Sequence, residues 1–204
     1  MRSVAEFAIA AGLLTLIPGP DTLLTLRTAV AAGRVQALAV GGGICSALLG
    51  WGCAAGLGLT AALAASPDLY LALRWTGAAY LTCLGVRAVV AGGRWPDTDG
   101  TGEPPGPARR YYLRGLATCA SNPKVGVFYV ALFPAFIPPG AHVLGYSVLL
   151  AAIHAGETLA WLTAVTLLAG RLGGLLRSRV ARRWADRLSG AVFVAFAARL
   201  AAGG

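Results

Sequence analysis

Residues 13–26 read Leu-Leu-Thr-Leu-Ile-Pro-Gly-Pro-Asp-Thr-Leu-Leu-Thr-Leu, an aliphatic run interrupted at its centre by Pro18, Gly19 and Pro20 and followed at once by an acid, Asp21. The two prolines have no amide hydrogen, and in a helix their rings would press on the carbonyls of Leu14 and Leu16. A continuous helix is therefore not expected. A second helix can begin here, with Gly19 near the N-cap, Pro20 at the first helical position and Asp21 in the first turn. The surrounding apolar run covers 4–26, and about 20 apolar residues suffice to cross a bilayer. A break inside such a run frees backbone groups that lipid cannot satisfy, so it has to face protein or a water-filled cavity.

The rest of the chain repeats this character. Its 204 residues are 57% hydrophobic and 12% charged, against roughly 25% charged in an average soluble domain. Six apolar runs follow one another, at 4–26, 37–65, 69–91, 113–137, 143–169 and 184–202. They are continuous and rich in Ala, Leu and Val, without the alternation of a membrane β-barrel. The fold class is all-α: a membrane protein of six transmembrane helices. Secreted disulfide scaffolds, disordered tails and ordinary cytosolic enzymes are excluded. Cys45, Cys53, Cys83 and Cys119 show no C-x-x-C spacing and read as small buried hydrophobes. An apolar N-terminus behind Arg2 loosely resembles a signal peptide, but the run continues to Leu26 with no small-x-small site, so cleavage is not expected.

The fourth run carries a second break, Ser121-Asn122-Pro123-Lys124. Asn is a strong N-cap and Pro suits the first helical position, so another half-helix is expected to begin inside the apolar stretch. Between the two breaks lies the longest polar segment, Gly92 to Arg110, whose Gly, Pro and acidic residues argue against helix and membrane alike. The chain then reads as one membrane domain, 1–204. It comprises a three-helix half at 1–91, a cytoplasmic loop at 92–112 and a second half at 113–204. Three spans per half give the halves opposite orientation. Gly77–Ala78 and Tyr80 in the third span align with Gly190–Ala191 and Phe193 in the sixth, each behind an Arg. Inverted repeats with interrupted helices are a recurrent design of secondary transporters.

Orientation follows from the cations. Thirteen arginines, from Arg27 and Arg34 to Arg187, lie in the loops after spans one, three and five, whereas the other side holds only Arg2, Arg74 and Arg199. The positive-inside rule places those loops in the cytoplasm and both termini outside. The net charge of +9 is then a topology signal with anionic headgroups as its partner, and no nucleic-acid partner is expected.

Asp21 and Lys124, the one lysine, directly follow the two breaks. A charge near the bilayer centre costs from roughly 2.5 to more than 10 kcal/mol, so both are paired, solvated or functional. Three arrangements are open. In the favoured one, Asp21 takes a substrate ammonium or a proton and Lys124 a substrate carboxylate, between two half-helix N-termini that attract an anion. In the second, the two form a permanent ion pair. In the third, Asp21 caps its helix and Lys124 snorkels to the surface. His154 and Glu157, three apart on one face of span five, are candidates for proton handling. As metal ligands they are too few, with His142 in the outer loop and Glu6 at the outer interface. Gly52-x-x-x-Gly56 suits a close helix crossing.

At these residues the chain resembles the lysine exporter / homoserine–threonine exporter (LysE/RhtB) family of bacterial amino-acid efflux proteins. The carrying segments are PGPDTLLTLRTAVAAGR from Pro18, RWTGAAYLTCLGVRA from Arg74, RGLATCASNPKVGVFYVALFPAF from Arg114 and RRWADRLSGAVFVAFAARLA from Arg182. The resemblance implies six spans in two inverted halves and export of amino acids or close relatives, driven by the proton gradient with no cofactor. It carries the family motifs onto Pro18, Gly19, Pro20 and Asp21, and onto Asn122, Pro123 and Lys124. Ser46 and Trp51 in span two, and His154 and Glu157, depart from the usual pattern and leave the substrate open.

The resulting expectation is a multi-pass exporter of the bacterial inner membrane, working by alternating access on a neutral amino acid or a homoserine/threonine-like derivative. The substrate would bind at Pro18–Asp21 and Asn122–Lys124, with Asp21, His154 or Glu157 handling the proton. A metal-cation or other small-solute exporter is the nearest alternative. A thiol-redox carrier lacks paired cysteines, and an intramembrane hydrolase lacks a second catalytic cluster. The sequence leaves the oligomeric state open, a homo-oligomer included.

Overall fold

The structure, a computed structural model, describes residues 4–66 and 106–169, with isolated helical positions between 72 and 90 and between 180 and 198. The expected spans 69–91 and 184–202, the loop residues 92–105 and the aligned Gly77 and Gly190 fall outside the continuously described residues. Every described element is helical.

Helix α1, Val4–Leu16, buries Phe7, Ala10, Ala11 and Leu14, the three-and-four spacing of one helix face. Its opposite face leaves Ile9, Leu13 and Leu16 exposed. Pro18 and Pro20 end it. After an extended Gly19 (φ −133°, ψ −171°), α2 runs Pro20–Ala31, and the two axes differ by 52°. The amides of Ala32 and Gly33 both return to the Thr28 carbonyl, at 2.8 and 3.1 Å. Gly33 takes φ +98°, the left-handed stop at which glycine is favoured.

Helix α3, Arg34–Ala65, is the centre of the described bundle, packing most extensively on α4 (Ala108–Ala120) and α6 (Val143–Leu167). Glycine makes both crossings possible. A Cβ on Gly43 would run into the Tyr112 backbone carbonyl, and one on Gly115 into that of Val40. Further along, Gly52 abuts Ala151 and Gly56 abuts Ser147, so the Gly52-x-x-x-Gly56 pair does form a helix crossing. Replacing Gly43 with Val should cost about 1–3 kcal/mol, the usual penalty of overpacking. Gly50→Val, where nothing lies within 4 Å, should be near neutral. Melting of the two variants in detergent checks this.

Helix α4 begins earlier than the sequence reading allows. Pro107 in an extended conformation starts it, and Arg109 and Arg110 are helical, although 92–110 reads as helix-free. Arginine is a good helix former, and the Pro/Gly-rich character ends at Pro107. Beyond α4, Asn122 caps α5, Pro123–Val127, through its side chain. This half-helix then loses its regularity: Phe128–Leu132 is a π turn and Phe133–Phe136 a 3₁₀ turn. Pro134 cannot donate back to Val130, and such an interruption is a recognised cause of local widening. His142 is an N-cap as well as a loop residue, accepting the Gly145 amide at 3.1 Å to start α6.

The two interrupted segments lie against each other. Phe7 of α1 meets Phe128, Phe133 and Phe136 with ring centroids 5.4–5.7 Å apart. Helices α3 and α6 each supply 25 residues long and apolar enough to cross a bilayer, and α1 with α2 adds a third span if the bent pair is one. The cysteine reading needs correction. All four are free, but only Cys119 is buried; Cys45 is half-buried, and Cys53 and Cys83 are exposed. In an apolar span, an outward position suits a small weakly polar thiol as well as an inward one does.

Candidate functional site

The geometry at the breaks follows from the missing amides. Pro18 leaves the Leu14 carbonyl without its helical donor, and the end of α1 before Gly19 leaves that of Ile17 without one. Lys124, first turn of α5, reaches across to them: its Nζ donates to the carbonyls of Leu14 at 3.1 Å and Ile17 at 3.0 Å. A cation is favoured at a helix C-terminus, where the dipole is negative. Gly19 makes room for it, since a Cβ there would sit 3.1 Å from Nζ. The lysine therefore neither snorkels to the surface nor hydrogen-bonds Asp21.

Asp21 and Lys124 are joined through Asn122 instead. The Asn122 Nδ2 donates to Asp21 Oδ2 at 2.9 Å, and its Oδ1 accepts the Lys124 amide at 3.0 Å. Asn122 also accepts, at its own carbonyl, the amides of Val125 and Gly126. The start of α5 is thus satisfied from within. The start of α2 is different: Gly19 offers no side-chain cap, and the Asp21 Oδ1 is buried with no hydrogen-bond partner. A buried, unpartnered carboxylate oxygen costs of the order of 1–3 kcal/mol or more, so an occupant that donates to it is favoured.

Asp21 and Lys124 line one cavity of about 30 Å³, together with Thr15, Thr22, His154, Thr158 and Trp161 and an aliphatic wall. That volume holds a water or two and not an amino acid. Sequence reasoning missed the hydroxyls. Thr15 and Thr158 pair at 3.3 Å, and Trp161 Nε1 donates to Thr22 at 3.3 Å. Threonines recurring within otherwise aliphatic spans were the available signal.

Of the remaining candidates, His154 lines the cavity and Glu157 is not among its lining residues. His154 is buried, with Nδ1 3.2 Å from the Tyr129 hydroxyl and its ring against Phe128 and Tyr129. Glu157 faces Gly12 of α1, and its Oε2 is buried without a partner. Pro18 and Gly19 form the break itself, while Pro20 and Pro123 stand at the first turns of α2 and α5. Ser46 bonds Tyr112 at 2.8 Å, and Trp51 covers Gly126 and stacks on Tyr129; neither lines the cavity. Among the described residues, no group of three His, Cys, Asp or Glu side chains could hold a metal ion.

The family profile described as LysE type translocator matches residues 13–204. The chain belongs to this family. A LysE type translocator is a membrane transporter and not an enzyme. Its similarity extends along nearly the whole chain of several relatives. The leucine efflux protein of Klebsiella pneumoniae is 29% identical over 205 residues, covering 96% of this chain and 92% of the relative. The threonine efflux protein of Salmonella typhi is 30% identical over 189 residues, covering 90% and 89%. The homoserine/homoserine lactone efflux protein of Salmonella typhi is 27% identical over 206 residues, covering 96% and 94%. No solved structure matches this LysE type translocator.

Proposed function

We propose that this protein exports a neutral amino acid across the bacterial inner membrane, driven by the proton gradient and working by alternating access. The carrying observation is the unpartnered Asp21 Oδ1 at the uncapped start of α2, in a cavity shared with Lys124. The substrate ammonium sits on Asp21. The carboxylate faces the first amides of α2, where the dipole favours an anion, with the Lys124 charge close by. Relatives named for leucine, threonine and homoserine efflux support an amino-acid substrate. One acid and one lysine match a zwitterion better than a cationic substrate.

The proposed frame is the six-span arrangement with both termini outside. The halves 1–91 and 113–204 are inverted about loop 92–112, with a break in spans one and four. Arginine-rich cytoplasmic loops lie on anionic headgroups. The small cavity supports alternating access, because an amino acid enters only if the walls part. Protonation of Asp21, with Glu157 or His154 as a second proton site, releases the ammonium on the outer side. The test is uphill export from vesicles. Collapsing the proton gradient with a protonophore should reduce it to passive leak, and export that continues unchanged would refute the coupling.

A further inference from the structure

The cavity is lined by aliphatic side chains as well as by polar ones. Its lining includes Ile44 and Leu48 of α3, Val125 of α5 and Leu162 of α6. All four are at most 3% exposed. Leu162 is held against α3 by Gly41, whose Cβ would meet it at 3.8 Å. The wall is therefore set by helix crossings, and it contains no polar side-chain atom.

The polar groups of the cavity are already engaged. Thr15 is paired with Thr158, Thr22 receives Trp161, His154 holds Tyr129, and Lys124 holds two backbone carbonyls. What lacks a partner among the lining side chains is one acceptor, Asp21 Oδ1. One unmet acceptor beside an aliphatic wall suits, once the walls part, a molecule with a cationic head and a hydrocarbon body.

We propose that Ile44, Leu48, Val125 and Leu162 form the side-chain subsite of the transported amino acid, and that they select an aliphatic side chain over a hydroxylated one. This rests on the reading of Asp21 as the ammonium site. A hydroxyl moved from water to such a wall loses hydrogen bonds that nothing there replaces. Apolar pockets discriminate modestly, by about 10- to 200-fold per group, so a preference and not an absolute exclusion is expected.

The experiment loads cells expressing the full chain with equal amounts of leucine-, threonine- and homoserine-containing dipeptides and measures the amino acids exported. Leucine should leave about ten-fold or more faster than the two hydroxylated residues. Val125→Thr, which conserves shape, and Ile44→Thr should each lower the leucine-to-threonine ratio several-fold. Leu48→Met, which keeps the wall apolar, should retain the ratio. If one threonine variant fails to insert, the other and the wild-type ratio still decide. Equal wild-type export of all three residues, or a ratio that neither threonine variant moves, overturns the subsite. Export that survives Asp21→Asn overturns the ammonium site alone, and the wild-type and threonine-variant ratios still decide the subsite.

Discussion

Asp21→Asn should lower export by about 100-fold or more, the scale expected when a buried charge loses its role in a charge-assisted contact. Insertion and folding should survive. Asparagine keeps the size of the side chain, and its amide oxygen can still accept from Asn122 Nδ2, the contact now made by Asp21 Oδ2 at 2.9 Å. What it removes is the charge on the unpartnered Oδ1. The variant therefore separates transport from architecture. Export by cells with matched membrane levels of the two proteins checks it, and flux near the normal rate would remove Asp21 from the mechanism.

Lys124→Met should be severe for a different reason. Methionine matches the length of the lysine stem but leaves the Leu14 and Ile17 carbonyls without the donors they now have at 3.1 and 3.0 Å. Each unsatisfied buried group costs about 1–3 kcal/mol, so a lower melting temperature in detergent should accompany the loss of export. Lys124→Arg should not restore function. A planar guanidinium is not interchangeable with an ammonium, and Gly19 already approaches so closely that a Cβ there would lie 3.1 Å from Nζ. Adding Asp21→Asn to Lys124→Met discriminates further. A permanent ion pair would be relieved by neutralising both members, whereas the carbonyl contacts of Lys124 would not. The double variant should remain inactive and unstable.

The helix ends before Pro18 and Pro123 were legible because a residue without an amide hydrogen cannot continue the ladder, and Pro18, Pro20 and Pro123 stand within apolar runs. Asn122 was legible as a cap for the same local reason. The partner of Lys124 was not. The sequence offered Lys124 a substrate carboxylate, Asp21 or the surface, whereas its acceptors are backbone carbonyls of Leu14 and Ile17, which carry no signature in their side chains. The start of α4 at Ala108 was obscured by the Gly/Pro-rich segment that stops abruptly at Pro107. The π turn at Phe128–Leu132 was obscured because its residues are ordinary helix and strand formers. The aliphatic wall could not be read either. Ile44 and Leu48 look like any other apolar residues of a span, and only the glycine-mediated crossings of α3 bring them to the cavity.

The central claim is that both interrupted segments contribute to one binding place. Equilibrium binding of radiolabelled leucine to the purified protein in detergent tests it most directly, comparing wild type with Asp21→Asn at the first break and Asn122→Ala at the second. The account predicts saturable binding to the wild type that either single substitution abolishes. Undiminished binding after a change at either break would contradict it.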